Sequence, residues 1–198
     1  GTGEGTAEDW RSAGGGVADI ATRAPTRSVA LVPPDGAGAA EISAFLEGYG
    51  TGAYRFDRFR TSDDAKAAPE RVAVHSPAVR AADLARADRI VAAVNGARDL
   101  ANTPGNHLTP TALAGRAREL ADATPGLTCT VLGRARLEKL GAGGLLGVAQ
   151  GSDQPPKMIV LRWSPPERAR PGEVLGLVGK AVTFDTGGIS IKPPARME

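Results

Sequence analysis

Cysteine, histidine and aromatic residues are all scarce in this 198-residue sequence, and each scarcity excludes something. Cys129 is the single cysteine, so no intramolecular disulfide can form. With no apolar, signal-like start either, a reducing cytoplasm is the expected compartment. Cys129 alternates within "LTCTVL", the setting of a small buried strand residue rather than a nucleophile. His75 and His107 are the only histidines. They form no His-x-x-x-His pair, and the sequence proposes no serine-histidine-carboxylate set. His75 ends a strand-like run and His107 lies in a Pro-Gly turn, so both are expected to be structural. Aromatic residues make up 4%, which leaves the core to Ala, Val and Leu. No apolar run approaches the ~20 residues of a membrane span. The net charge of +2 is too small to argue for nucleic acid or an anionic membrane as partner.

What remains is ordinary for a globular chain: 41% apolar and 23% charged residues, enough length for one large domain or two small ones. One bias stands out. Of the 24 basic residues 19 are Arg and five are Lys, so each lysine merits individual attention.

Along the chain, residues 1 to about 27 are Gly/Ala-rich without sustained period and read as loosely ordered, or as the remnant of a helix. "RSVALVPP" is a strand stopped by Pro33 and Pro34. "GAAEISAFLEGYG" sets Ile42, Phe45, Leu46 and Tyr49 at helical spacing. "RVAVHSP" is a second strand, and residues 1–78 are expected to form a small, partial α/β domain. A long helical pattern from Val79 to Leu100, with Leu84, Ala87, Ile90, Val91 and Val94 on one face, predicts a connecting segment over 79–103. Beyond it Thr109 and Pro110 mark a helix start. Strand "LTCTVL", helix "ARLEKLG", glycine-rich "GAGGLLGVAQGS", strand "KMIVLRW" and strand "VLGLVG" then follow. That alternation predicts a doubly wound α/β domain, again partial, over 104–198.

Two phosphate-loop readings fail. "GAGGLLGVAQGS" is followed by no Gly-Lys-[Ser/Thr]. "GLVGKAVT" has Val174 where the first loop glycine belongs and Ala181 where the hydroxyl belongs. The stretch "VGKAVTFDTGGISIKPPARME" is more informative. Val174 to Val178 are expected to be a buried strand, placing Lys180 and Asp185 at its carboxyl end, where α/β folds seat ligands. Asp185 precedes Thr186-Gly187-Gly188, a turn that lets backbone approach a bound group, and Lys192 follows. An aspartate is a hard oxygen ligand for a divalent ion. A lysine beside that ion can coordinate as a neutral amine, which arginine cannot because it stays protonated. A second, protonated lysine can polarise a carbonyl. Spacing alone leaves two surface lysines and a turn aspartate equally open; the scarcity of lysine favours the metal reading.

At these residues the sequence resembles the leucyl aminopeptidase family of cytosolic two-metal exopeptidases. "VGKAVTFDTGGISIKP" is similar to the family's signature region. "ARDLANTPGNHLTP", "LGAGGLLGVAQGSDQPPKMIVLRW" and "YRFDRFR" resemble further family segments, so the likeness spans Tyr54 to Pro193. The resemblance implies a small α/β N-terminal domain, a catalytic α/β domain and a hexameric assembly. The implied reaction removes an N-terminal residue, often leucine, from a peptide substrate. Two divalent ions (Zn or Mn, with Mg or Co as alternatives) would serve as cofactors. Carried over by position, Lys180 is a metal ligand, Asp185 a ligand shared by both ions, and Lys192 the electrophile at the carbonyl. Ala195, Arg196, Met197 and Glu198 depart from the family pattern, Arg196 replacing a glycine. The family's remaining metal carboxylates and its catalytic arginine do not occur by Glu198. A catalytically incomplete, truncated chain is therefore expected. The alternatives are a non-catalytic assembly partner of an intact aminopeptidase, or an unrelated ligand-binding α/β domain.

Overall fold

The computed structural model describes residues 5–24, 26–61, 69, 71–164 and 172–185. The chain divides into two compact units, Gly1–Asn102 and Thr103–Glu198. Helix and strand mix in both, as the α/β reading requires.

In the first unit, α1 (Ala7–Arg23) fills the stretch expected to be loosely ordered. That expectation is corrected, and its helical alternative is what is found. Thr6 caps the helix: its hydroxyl accepts from the Asp9 N–H while the Asp9 carboxylate accepts from the Thr6 N–H, a reciprocal capping box. The buried face runs Trp10, Gly14, Ala18, Ala21 and Thr22, a helical period written almost entirely in small residues. A periodicity search weighted towards large apolar side chains passes over it. Smallness is what α1 needs, because it lies very close to α2 (Ala39–Gly52). A β-carbon on Gly14 would overlap the carbonyl of Phe45, and one on Gly48 would overlap that of Arg11.

Strands β1 (Ser28–Leu31) and β2 (Arg71–Val74) pair in parallel, Ser28 opposite Arg71 and Leu31 opposite Val74. The His75 N–H extends the ladder by donating to the Leu31 carbonyl at 2.9 Å. Val29, Leu31 and Val72 pack against a core of Trp10, Ala18, Ala21, Ala44, Phe45 and Tyr49. Each large side chain so buried stabilises the unit by roughly 1.5–3 kcal/mol relative to exposure.

Helix α3 (Ala81–Asn102), where a connecting helix is expected, packs on α2. Asn95 Nδ2 donates to the Gly50 carbonyl at 3.1 Å, and Arg98 Nη1 donates to that of Thr51 at 2.7 Å. The Arg98 guanidinium stacks 4.1 Å above the Tyr54 ring, whose hydroxyl donates to Asp99 at 2.7 Å. Asn102 Nδ2 donates to the same hydroxyl at 3.2 Å. These contacts hold the end of α3 to the turn that follows α2.

The second unit opens with α4 (Pro110–Ala123), capped by the Thr109 hydroxyl, which accepts from the Ala112 N–H at 3.2 Å. Ala114 and Ala121 are its buried positions, and the helix packs on β3 (Leu127–Leu132). β3 pairs antiparallel with β4 (Met158–Trp163), Leu127 opposite Trp163 and Leu132 opposite Met158. Between the two strands come α5 (Arg134–Lys139), with Leu137 fully buried, α6 (Gly143–Val148) and a 3-10 turn at Ala149–Gly151. The glycine-rich stretch that resists a phosphate-loop reading is thus largely helical. Cys129 lies on β3 opposite Leu161, a strand residue as its alternation suggests, but half-buried rather than buried.

One further expectation is corrected. Residues 174–178 form neither strand nor helix and are not buried. Val174, Leu175, Leu177 and Val178 are 89%, 86%, 88% and 102% exposed. An apolar run supplies the side chains of a buried strand, but a strand also needs a ladder partner for its backbone groups. Among the described residues none pairs with this run.

Candidate metal-binding segment

Lys180 and Asp185 lie on the irregular segment that follows these exposed residues, and both are themselves exposed. Lys192 and Thr186-Gly187-Gly188, like Arg196, lie outside the described residues. The sequence reading thus brings two of its three site residues onto one short stretch of described backbone.

The stretch is not held by its own secondary structure. Thr183 is half-buried although Val182 and Phe184 beside it are 47% and 73% exposed. What it meets is the turn before α4. A β-carbon on Gly105 would stand 2.6 Å from the Thr183 carbonyl oxygen and 3.2 Å from Phe184 Cβ. The turn has its own bonds: the His107 and Leu108 N–H groups both donate to the Pro104 carbonyl at 2.8 Å. His107 therefore helps close a turn by its backbone, in the place sequence reasoning assigned it. Gly105 was not singled out from the sequence. "TPGNH" marks a turn there, but nothing in it names the distant segment the glycine receives.

A primary amine and a carboxylate are suitable donors for a divalent ion, so the donor types fit a metal. Their number does not. Two protein ligands fall below the three of a catalytic zinc site, and among the described residues no group of three or more His, Cys, Asp or Glu side chains could hold an ion. The described residues do not by themselves make a metal site, and no catalytic step follows from them alone.

Comparison with known proteins extends the picture over the whole chain. The sequence model of the cytosol aminopeptidase family's catalytic domain matches residues 95–198, and that of its N-terminal domain matches residues 1–63. A probable cytosol aminopeptidase of Solibacter usitatus is 42% identical over 189 residues, covering 95% of this chain and 39% of its relative. Among solved structures, a bottromycin maturation enzyme, BotP, in complex with Mn is 36% identical with a TM-score of 0.82, over 98% of this chain and 40% of that one. A mutant tomato leucine aminopeptidase is 26% identical with a TM-score of 0.73, over 82% of this chain and 34% of that one. The chain thus spans about two fifths of the length of the first relative. Among the described residues no helix is long and apolar enough to cross a membrane. Lys180 and Asp185 fall within the catalytic-domain match, and the chain belongs to the cytosol aminopeptidase family.

Proposed function

We propose that this chain is the N-terminal domain and first part of the catalytic domain of a metal-dependent aminopeptidase, one that releases N-terminal residues of leucine type from peptides in the cytoplasm. The observation that carries the reading is the pairing of Lys180 and Asp185 on one exposed segment inside the family's catalytic-domain match. In this reading Lys180 and Asp185 would hold the ions, Asp185 as their common ligand, and Lys192 would assist the scissile carbonyl as a cation. The ions, zinc or manganese with magnesium or cobalt as substitutes, would supply an activated water and a seat for the substrate's amine and carbonyl. The domain assignment goes with it: N-terminal domain to about residue 78, linking helix to 103, catalytic portion from 104. Assembly as a hexamer, as the family resemblance implies, belongs to the same proposal.

The donor count argues that the chain by itself does not complete the site. Hydrolysis of leucine p-nitroanilide with added Mn²⁺ tests both halves of this. The folded chain alone is expected to show no turnover. A chimera joining it to the remaining three fifths of the Solibacter usitatus relative is expected to turn over, and to lose at least about 10²-fold in kcat on Lys192→Ala. An inactive but folded chimera, or one indifferent to Lys180→Ala, Asp185→Ala and Lys192→Ala, would remove the reading. Turnover by the chain alone would refute the incomplete site.

A further inference from the structure

We infer that the turn from Pro104 to His107 is the seat that positions the Lys180–Asp185 segment, with Gly105 as its positioning residue. The inference rests on the metal-site reading of Lys180 and Asp185 and adds to it what sets their place.

Among the described residues the segment pairs in no ladder and forms no helix. Thr183 is half-buried between exposed neighbours, and its carbonyl oxygen sits where a β-carbon of residue 105 would have to be, 2.6 Å away. Both parties to that approach are backbone, so neither can rotate aside as a side chain would. The turn is itself anchored. Pro104 fixes its own φ, its carbonyl accepts from two N–H groups, and Thr109 caps α4 directly after it. A path of fixed geometry therefore runs from α4 through Gly105 to Thr183, with Asp185 two residues beyond and Lys180 three before. Metal donors must be held to within about 0.5 Å to act together, and any substituent on Gly105 displaces Thr183 by a comparable amount.

The test compares Gly105→Ala with Gly115→Ala in the whole chain. Gly115 lies in α4 with open space around its Cα, so a methyl there meets nothing. Backbone ¹⁵N order parameters are read residue by residue. In the unsubstituted chain residues 182–185 are expected to be ordered, near about 0.85, and Gly105→Ala is expected to lower them below about 0.6 while β3 and β4 keep theirs. Gly115→Ala should not. Unchanged order at 182–185 in Gly105→Ala overturns the inference, and so does a loss spread evenly over β3, β4 and α4. Should Gly105→Ala fail to fold, Pro104→Gly loosens the same turn without adding volume. Loss of order confined to 182–185 is then expected, and none there is again fatal. Turnover of the chimera with Mn²⁺ decides the metal reading separately.

Discussion

Tyr49 brings a phenol into the core of the first unit, 4% exposed, where its hydroxyl finds no hydrogen-bond partner among the described residues. A buried polar group in that state costs about 1–3 kcal/mol. Tyr49→Phe keeps the ring and is expected to raise unfolding stability by about 1 kcal/mol in urea titrations. Burial also pushes the phenol's pKa above its ordinary value near 10. Between the unfolded and folded values the native state therefore holds a proton that the unfolded state has lost. Stability from this group is complete below about pH 10 and falls as pH rises through the folded pKa. The same Phe variant should flatten that alkaline decline, and a decline of equal slope in both proteins would show that Tyr49 does not cause it.

At the scale of elements, the three helices of the first unit are pinned through Glu47. Its carboxylate on α2 is 8% exposed and takes Arg11 of α1 at 3.0 Å and Arg86 of α3 at 3.7 Å. Because both guanidinium partners are substantially exposed, Glu47→Ala should cost about 1–2 kcal/mol rather than the larger loss of a fully buried pair. A double-mutant cycle with Arg11→Ala should assign most of it to that partner, at the shorter distance. Gly48→Ala, forced against the Arg11 carbonyl, is expected to cost more, about 2–3 kcal/mol. These interactions also mark where the sequence could be read. α4 was legible because Thr109 and Pro110 announce it locally, and β3 and β4 because their residues favour strand on their own. α1 was harder, since its buried face is made of glycine and alanine and matters only once α2 lies against it. The run from Val174 to Val178 misled for the converse reason, its composition being that of a strand while among the described residues its backbone has no ladder partner. The site divides in the same way. Lys180 and Asp185 could be picked out by residue type, whereas the contact of Gly105 with Thr183 joins segments far apart in sequence and exists only in the folded chain.

Across the molecule, the second unit leaves much of its apolar surface in water. Met158, Val160, Leu161 and Trp163 of β4 are 39% to 61% exposed, and four residues between 174 and 178 are more than 85% exposed. Apolar surface of this extent promotes association. Light scattering of the purified chain should therefore rise steeply with concentration and salt. Replacing Val174, Leu177 and Val178 together by serine should reduce that rise without lowering the unfolding midpoint, because those side chains are almost wholly exposed. If scattering is unchanged, association proceeds through another surface. The two tryptophans give a means of watching each unit by itself. Trp10 is 8% exposed in the core of the first unit, and Trp163 is 61% exposed at the end of β4 in the second. The indole shielded from water should emit at shorter wavelength and resist collisional quenching by iodide. The other should emit at longer wavelength and be quenched readily. A Trp10→Phe and a Trp163→Phe variant would then each carry one optical reporter, so that a single emission spectrum records which half of the chain loosens first.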